Sequence, residues 1–313
     1  MSMPADTFAT YQAIGNREDL SDEIWKISPT ETPFFSAIAK VKGDATLHEW
    51  QMQELAAADT DNACLEGSDA ITNAVTPTVR KGNRMQISDK VVRVAGTQEA
   101  VDHAGRDSEM AFQEMLKGQE LKIDVDTILS GLNQTQVAGD TTTARRCATV
   151  LSWIATNDDH VGTSPTTSGT VTRVDGTQRA FTEAQLKNVF ALCWAQGGKP
   201  NLVLAGAFNK QVFSTFTGRS TPMEEAKSKK IVASVDAYES DFGTVKVMAS
   251  RNIRSRDVLV LETEKWAVAH LRKMESIPLA ITGDSRRKQI ITEYTLESRN
   301  EKASGGVFDL LAS

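Results

Sequence analysis

Hydrophobic and polar positions change rhythm several times along this chain, and the changes divide it. Leu20, Ile24 and Ile27 fall on one face of a short helix expected over residues 18–27, with Asn16 as its cap and Asp19 three residues on. Pro29 ends that helix, because the residue before a proline avoids the helical region. Residues 27–38, ISPTETPFFSAI, then read as an extended arm with Phe34, Phe35 and Ile38 as apolar anchors. Prolines keep such an arm extended and lower the cost of ordering it.

From residue 45 the helical signal disappears. ATLHEWQMQEL carries a Trp, a His and alternating polarity, and residues 79–95, VRKGNRMQISDKVVRVA, also read as strand, with a turn expected at Gly82-Asn83. Between them lies AAADTDNACLEGSDAITNAVTPT, small and polar. Two strands flanking a polar tip predict an extended hairpin. It holds few large apolar residues for burial against its own chain, so it is either a loose insertion or lies on a partner; Trp50, Met52 and Met85 on its strands favour the partner.

Residues 101–131 give the longest helical pattern. Ala104, Ala111, Met115, Val125 and Leu129 recur at helical spacing, with Phe112, Leu121 and Ile128 beside them. Such a rod would be about 45 Å long, well beyond a typical helix of about 11–12 residues. Residues 140–177 are rich in Thr, Gly, Ser and Asp and read as loop or irregular strand, with VLSWI (150–154) as an apolar anchor. A compact unit starts at Thr182, which makes a capping box with Gln185. Leu186, Val189, Phe190, Cys193 and Trp194 then form a buried helical stripe that Gly197-Gly198 ends. NLVLAG reads as a buried strand, and AFNKQVFSTFTG as a helix with Phe208, Val212, Phe213 and Phe216 inward. Strands follow at IVASV, VKVMAS, DVLVLE and WAVAHL. Residues 287–297 alternate as a long strand and GVFDLL closes the chain. Helices and strands mix without a strict βαβ rhythm, which predicts an α+β fold.

The 313 residues suffice for one large domain or two ordinary ones. A hydrophobic content of 40% and a mean hydropathy of −0.31 describe a soluble chain. No apolar run approaches the roughly 20 residues that span a bilayer, and MSMPADTFATYQ carries neither the basic nor the apolar part of a secretory leader, so the cytosol is the expected place of synthesis. Cys64, Cys147 and Cys193 are odd in number and widely spaced, which argues for reduced, buried thiols over disulfides or zinc. The net charge of −6 is unevenly laid out: residues 1–200 hold 18 Lys+Arg against 27 Asp+Glu, and residues 201–313 hold 17 against 14. KSKK (227–230), RNIRSR (251–256) and RRK (286–288) read as solvated faces or salt-bridge partners, since a nucleic-acid binder would show a net basic domain. Segregated charge suits subunits that pair acidic with basic surface.

Candidate chemistry is sparse. Gly197-Gly198-Lys199 runs into Pro200, which spoils a phosphate loop. No GxSxG elbow occurs. His48, His103, His160 and His270 are scattered. NDDH (157–160) reads as a polar surface turn before a metal site, and Asp59, Asp61 and Glu66 lack the spacing and central glycine of a calcium loop. No catalytic residue, metal ligand or cofactor site is expected, and no enzymatic activity.

The order of arm, long hairpin, very long helix, compact α/β unit and long C-terminal strand resembles the Hong Kong 97-type capsid fold of tailed bacteriophages and herpesviruses. Four collinear stretches, GNREDLSDEIWKISPTETPFFSAI (15–38), LHEWQMQELAAA (47–58), YESDFGTVKVMASRNI (238–253) and LAITGDSRRKQIITEYTLESRNEKASGGVFDL (279–310), are similar to the SU10-like major capsid protein family. The resemblance implies an N-terminal arm (1–44), an extended loop (45–96) and a peripheral domain (97–180) with a spine helix at 101–131. An axial domain (181–271) and a return to the peripheral domain (272–313) complete it. It implies a major capsid protein assembling through pentamers and hexamers into an icosahedral shell around double-stranded DNA. Packaged DNA would be held non-specifically; portal, scaffold or decoration proteins are further candidate partners, and a membrane is not. The chain would be assembled in the host cytoplasm and end in the virion. The alternatives are an encapsulin-like nanocompartment shell, which shares the fold, another virion structural protein such as a tail or decoration protein, and a hydrolase or binding enzyme with an undetected site. Candidate inter-subunit contacts are Phe34, Phe35, Ile38, Trp50, Met52 and Met85, the alternative for the arm being that it folds back on its own subunit, and loops near 218–230 would approach the capsomer axis. Some relatives cross-link Lys to Asn; Lys81, Lys90 and Asn83 are present, but nothing in the sequence indicates that chemistry.

Overall fold

A computed structural model describes residues 30–67, 69, 75–102, 105–216 and 237–313. The helix expected over 18–27, the strand at IVASV, the KSKK cluster and the loops near 218–230 lie outside them. In chain order the elements are α1 (Pro33–Ala37), β1 (Ala39–Lys42), β2 (Leu47–Met52), β3 (Val79–Arg84), β4 (Gln86–Ala95), α2 (Gly96–Ala100), α3 (Glu109–Gly131), α4 (Val150–Trp153) and β5 (Asp158–Asp159). Then come α5 (Glu183–Ala195), β6 (Leu202–Ala205), α6 (Ala207–Phe213), β7 (Ala237–Ser240), β8 (Gly243–Ala249), β9 (Val258–Leu261), β10 (Trp266–Pro278), β11 (Ser285–Ser298) and β12 (Gly305–Val307). The mixture is α+β.

Two sheets organise the chain, in the orders β1-β10-β11-β4 and β5-β12-β9-β6-β8-β7, with β2-β3 as a separate pair. In the first, β10 and β11 run antiparallel from Trp266 opposite Ser298 to Pro278 opposite Lys288, and β11 pairs β4 from Ser285 opposite Ala95 to Tyr294 opposite Gln86. In the second, β6 and β9 are buried at every position, as central strands covered on both faces should be. The sheets do not follow the expected domain limits. β10 begins inside residues 181–271 yet belongs to the four-stranded sheet, while β5 and β12 complete the six-stranded one. One core spans both: Trp153, Trp266, Tyr294 and Phe308 are buried together with Leu204 and Leu259. A second lies under α5, where Phe190, Phe213 and Tyr238 pack.

The long helix is shorter than its pattern. α3 has 23 residues, about 34 Å at the standard rise. Gly105 stands at φ +74°, a left-handed conformation that interrupts a helix, and Ser108 restarts it by accepting the Ala111 N–H. Leu121, Val125 and Leu129 form the buried stripe, whereas Met115 is exposed. The capping box at Thr182 is present, but Trp194 turns outward and stacks on Phe242 at 5.4 Å. The expected turn at Gly82-Asn83 is absent: both lie inside β3, opposite Glu49 and His48. The chain breaks its strand at Met85 instead. Cys64 is exposed, against expectation; Cys147 and Cys193 are buried, and burial pushes both thiols up to about 12.

Candidate functional site

The hairpin is built in two parts, a fixed root and an exposed tip. Its six pairs run from Leu47 opposite Arg84 to Met52 opposite Val79. Asn83 is fully buried and anchors the root. Its amide donates to the carbonyls of Ala148 (3.0 Å) and Leu296 (2.8 Å), and its carbonyl accepts the N–H of Ala148 (2.8 Å) and Arg84 (2.9 Å). Trp50 packs on Trp153 with centroids 5.5 Å apart. His48 meets the Glu297 carboxylate at 3.3 Å, a contact that with Arg299 holds that carboxyl below its usual range. Lys81 donates to the Thr167 carbonyl at 2.8 Å, and burial lowers its ammonium.

Past Met52 this support ends. Glu54 pairs with Lys302 at 2.7 Å, and beyond it Leu55, Leu65 and Val75 are 95%, 84% and 91% exposed. From residue 53 to 78 the chain carries Glu54, Asp59, Asp61, Glu66 and Asp69 and no Lys or Arg. Among its described residues the tip is acidic and its large apolar side chains are exposed.

The candidate contacts sort unevenly. Phe34, Ile38 and Met85 are buried in their own chain, at 0%, 4% and 0% exposure, so their side chains offer nothing to a neighbour. For Phe34 and Ile38 the reason is α1, which folds the arm back over α3; Met85 sits between β3 and β4 with its N–H on the Thr46 carbonyl. The Phe35 N–H donates to Asp126 at 2.6 Å, and Asn252 donates both to Asp126 and to the Glu31 carbonyl. Burial raises the Asp126 carboxyl despite these bonds. Phe35 is half-buried, edge-on to His270 at 6.1 Å and under the Lys40 ammonium at 4.7 Å. Trp50 and Met52 are half-buried, Trp50 on its own core and Met52 at the last hairpin pair. Leu55, Leu65 and Val75 are not among the candidate contacts: each stands alone among small polar neighbours in the sequence, and the run of acids without a base is the signal that marks this stretch.

A second polar cluster ties the 157–176 segment to the six-stranded sheet. Arg173 is buried, stacks 3.5 Å from the Phe308 ring centroid and donates to Asp158 at 2.7 Å. Asp309, at φ +60°, accepts the N–H groups of Val161, Gly162 and Gly176 and the Arg256 guanidinium. Arg254 bridges Asp175 and Asp257. Burial pushes Asp257 up to about 7 against the pull of Arg254 and Arg173. Arg254 and Arg256 of RNIRSR are thus salt-bridge partners, as expected.

NDDH and the nearby Ser164 together hold the residue types of an acyl-transfer triad, but not the geometry. Ser164 lies 3.3 Å from His160 Nε2, yet its hydroxyl donates to Asp158 at 2.7 Å, and Asp158 is already held by Arg173. The imidazole has no serine proton to take. Among the described residues no group of three or more His, Cys, Asp or Glu side chains could hold a metal ion, and no helix is long and apolar enough to cross a membrane.

Comparison with known proteins agrees with the architecture. The chain is similar to the major capsid protein of Escherichia phage Phieco32, 26% identical over 339 residues and covering 96% of each protein. Its fold superposes on the cyanophage A-1(L) capsid asymmetric unit with a TM-score of 0.62 at 11% identity, covering 97% of this chain and 99% of that one. It superposes on a chain of Gordonia phage Cozz with a TM-score of 0.61 at 9% identity, covering 99% and 98%. The fold is the Hong Kong 97-type capsid fold. The SU10 major capsid protein model matches residues 4–311, so the chain belongs to that family of tailed-phage major capsid proteins.

Proposed function

We propose that copies of this chain close into pentamers and hexamers and build an icosahedral shell around double-stranded DNA, assembled in the host cytoplasm. The observation that carries this reading is the acidic, apolar hairpin tip, held out by a root that its own core fixes. A rotationally closed ring repeats one heterologous contact, tip of one copy on body of the next. The arm (1–44), extended loop (45–96), spine-bearing peripheral domain (97–180 and 272–313) and axial domain (181–271) are the parts we assign, with β4 and β10 joining the four-stranded sheet and β5 and β12 the six-stranded one across those limits. A net charge of −6 suits a container that must hold DNA without fixing it, since phosphate contacts by Lys and Arg would oppose packing and release. The role is structural, without catalysis. Electron cryomicroscopy of particles recovered from phage-infected cells tests it: five- and six-fold capsomers enclosing DNA are expected. Particles filled with a protein cargo, or rings of a single order that never close, would overturn it.

A further inference from the structure

We propose that the cavity between α1, β1, α3 and β10 is a binding site for a small amphiphilic anion, an apolar body carrying one carboxylate, sulfate or phosphate. This goes beyond the assembly reading and does not depend on it. The cavity measures about 400 Å³, within the usual size of small-ligand sites. Phe35, Val125 and Met274 supply apolar wall. Lys40 and Lys42 reach it from β1, Lys122 from α3 and Lys273 from β10, and no acidic side chain lines it among the described residues. All four lysines are exposed. Lys42 pairs with Asp44 at 2.7 Å, and the Lys40 ammonium lies 4.7 Å from the Phe35 ring centroid. Lys122 and Lys273 form no ion pair among the described residues.

Two features of β10 point to the same place. Its pairing with β11 shifts between His270 and Arg272 and again between Arg272 and Glu275. In a regular strand residues 273 and 274 would face opposite sides of the sheet, yet His270, Lys273 and Met274 all line this one cavity. Bulges re-aim side chains in this way, and they gather beside functional sites. The second feature is His270 itself, whose Nδ1 is buried with no hydrogen-bond partner among the described residues, where buried polar atoms are ordinarily paired. Burial first, then the charges of Lys40 and Lys273, lower its imidazole, so the ring is neutral at pH 7 and the positive charge of the site belongs to the lysines. A bare inorganic anion would leave the apolar walls wet, and a neutral apolar molecule would leave the ammonium groups unanswered. An amphiphilic anion satisfies both. Seated there, it touches the arm, the long helix and β10 together, and so ties the arm to the body.

The test is calorimetric titration of the purified full-length protein with laurate and with dodecyl phosphate, each below its micelle-forming concentration. Saturable binding of one molecule per chain is expected for at least one of them, and the tighter of the two names the head group, fatty-acid carboxylate or lipid-type phosphate. Dodecanol and dodecyltrimethylammonium, with the same chain and no negative charge, should bind at least tenfold more weakly. Lys122→Glu with Lys273→Glu should weaken the anion at least tenfold while leaving the melting temperature of the free protein unchanged, since both side chains are exposed. Bound ligand should raise the melting temperature of the wild type by mass action and not that of the variant. Absence of saturable binding, equal binding of the cationic chain, or equal affinity of the charge-reversed variant would overturn the site. So would full displacement of the ligand by duplex DNA, which would make the lysines a phosphate-backbone contact instead.

Discussion

Trp50 of the hairpin and Trp153 of the core lie 5.5 Å apart, centroid to centroid, at 50°. That contact decides whether the hairpin is a lever or a loose loop. Trp153 is buried and Trp50 half-buried, so replacing Trp50 with Ala removes an aromatic pair and leaves a void beside Trp153. A loss of about 3 kcal/mol is expected, the lower end for aromatic truncation in a core. Denaturant melts should show that loss, and hydrogen exchange should show faster opening of residues 47–52 and 79–84 than of β11.

Asn83 is the polar counterpart of that anchor. Its side chain satisfies two carbonyls and two N–H groups. Asn83→Leu keeps the volume but strands buried backbone groups, at about 1–3 kcal/mol for each one left unpaired. Asn83→Asp should be worse, because a carboxylate would face the Ala148 and Leu296 carbonyls. Thermal melts order the variants: wild type above Asn83→Leu above Asn83→Asp at neutral pH.

Gly131 sets propensity against packing. Helix propensity alone favours Ala by about 1 kcal/mol. A Cβ at this position would stand 2.0 Å from the Asn252 carbonyl oxygen, which is backbone and cannot step aside. Asn252 also braces Asp126 and the arm. Packing should win: Gly131→Ala is expected to destabilise by about 1–3 kcal/mol, seen as a lower melting temperature.

The local elements were legible because their causes are local. The Thr182–Gln185 capping box and the all-apolar run of β9 carry their own pattern; β11 is a long strand as expected, but it is buried continuously from Ile290 to Ser298 and not in alternation. The acidic run of the tip was equally local, although its exposed leucines were not read from it. Asn83 was misread as a turn because its partners lie 65 and 213 residues away. Phe34 and Ile38 looked like anchors for a neighbour, since nothing near them in sequence reveals that Asp126 and Asn252 fold the arm inward.

Asp257 makes stability depend on pH in an unusual direction. Arg254, Arg173 and Arg256 pull its carboxyl down and Asp175 pushes it up, but burial dominates and holds it at about 7, above the ordinary 3.8. A raised carboxyl favours the fold fully below the unfolded value, and that contribution is lost as pH rises through about 7. Asp257→Asn removes the titration. Its stability relative to wild type should therefore rise between pH 4 and pH 8, read as the difference between the two melting curves across that window. A flat difference would place the charge elsewhere.

The most direct test of capsid assembly is the mass and shape of the purified full-length protein, by size exclusion and negative-stain microscopy over a range of salt and concentration. Closed shells or flat rings of five and six copies are expected. A uniform monomer or dimer under every condition would contradict it.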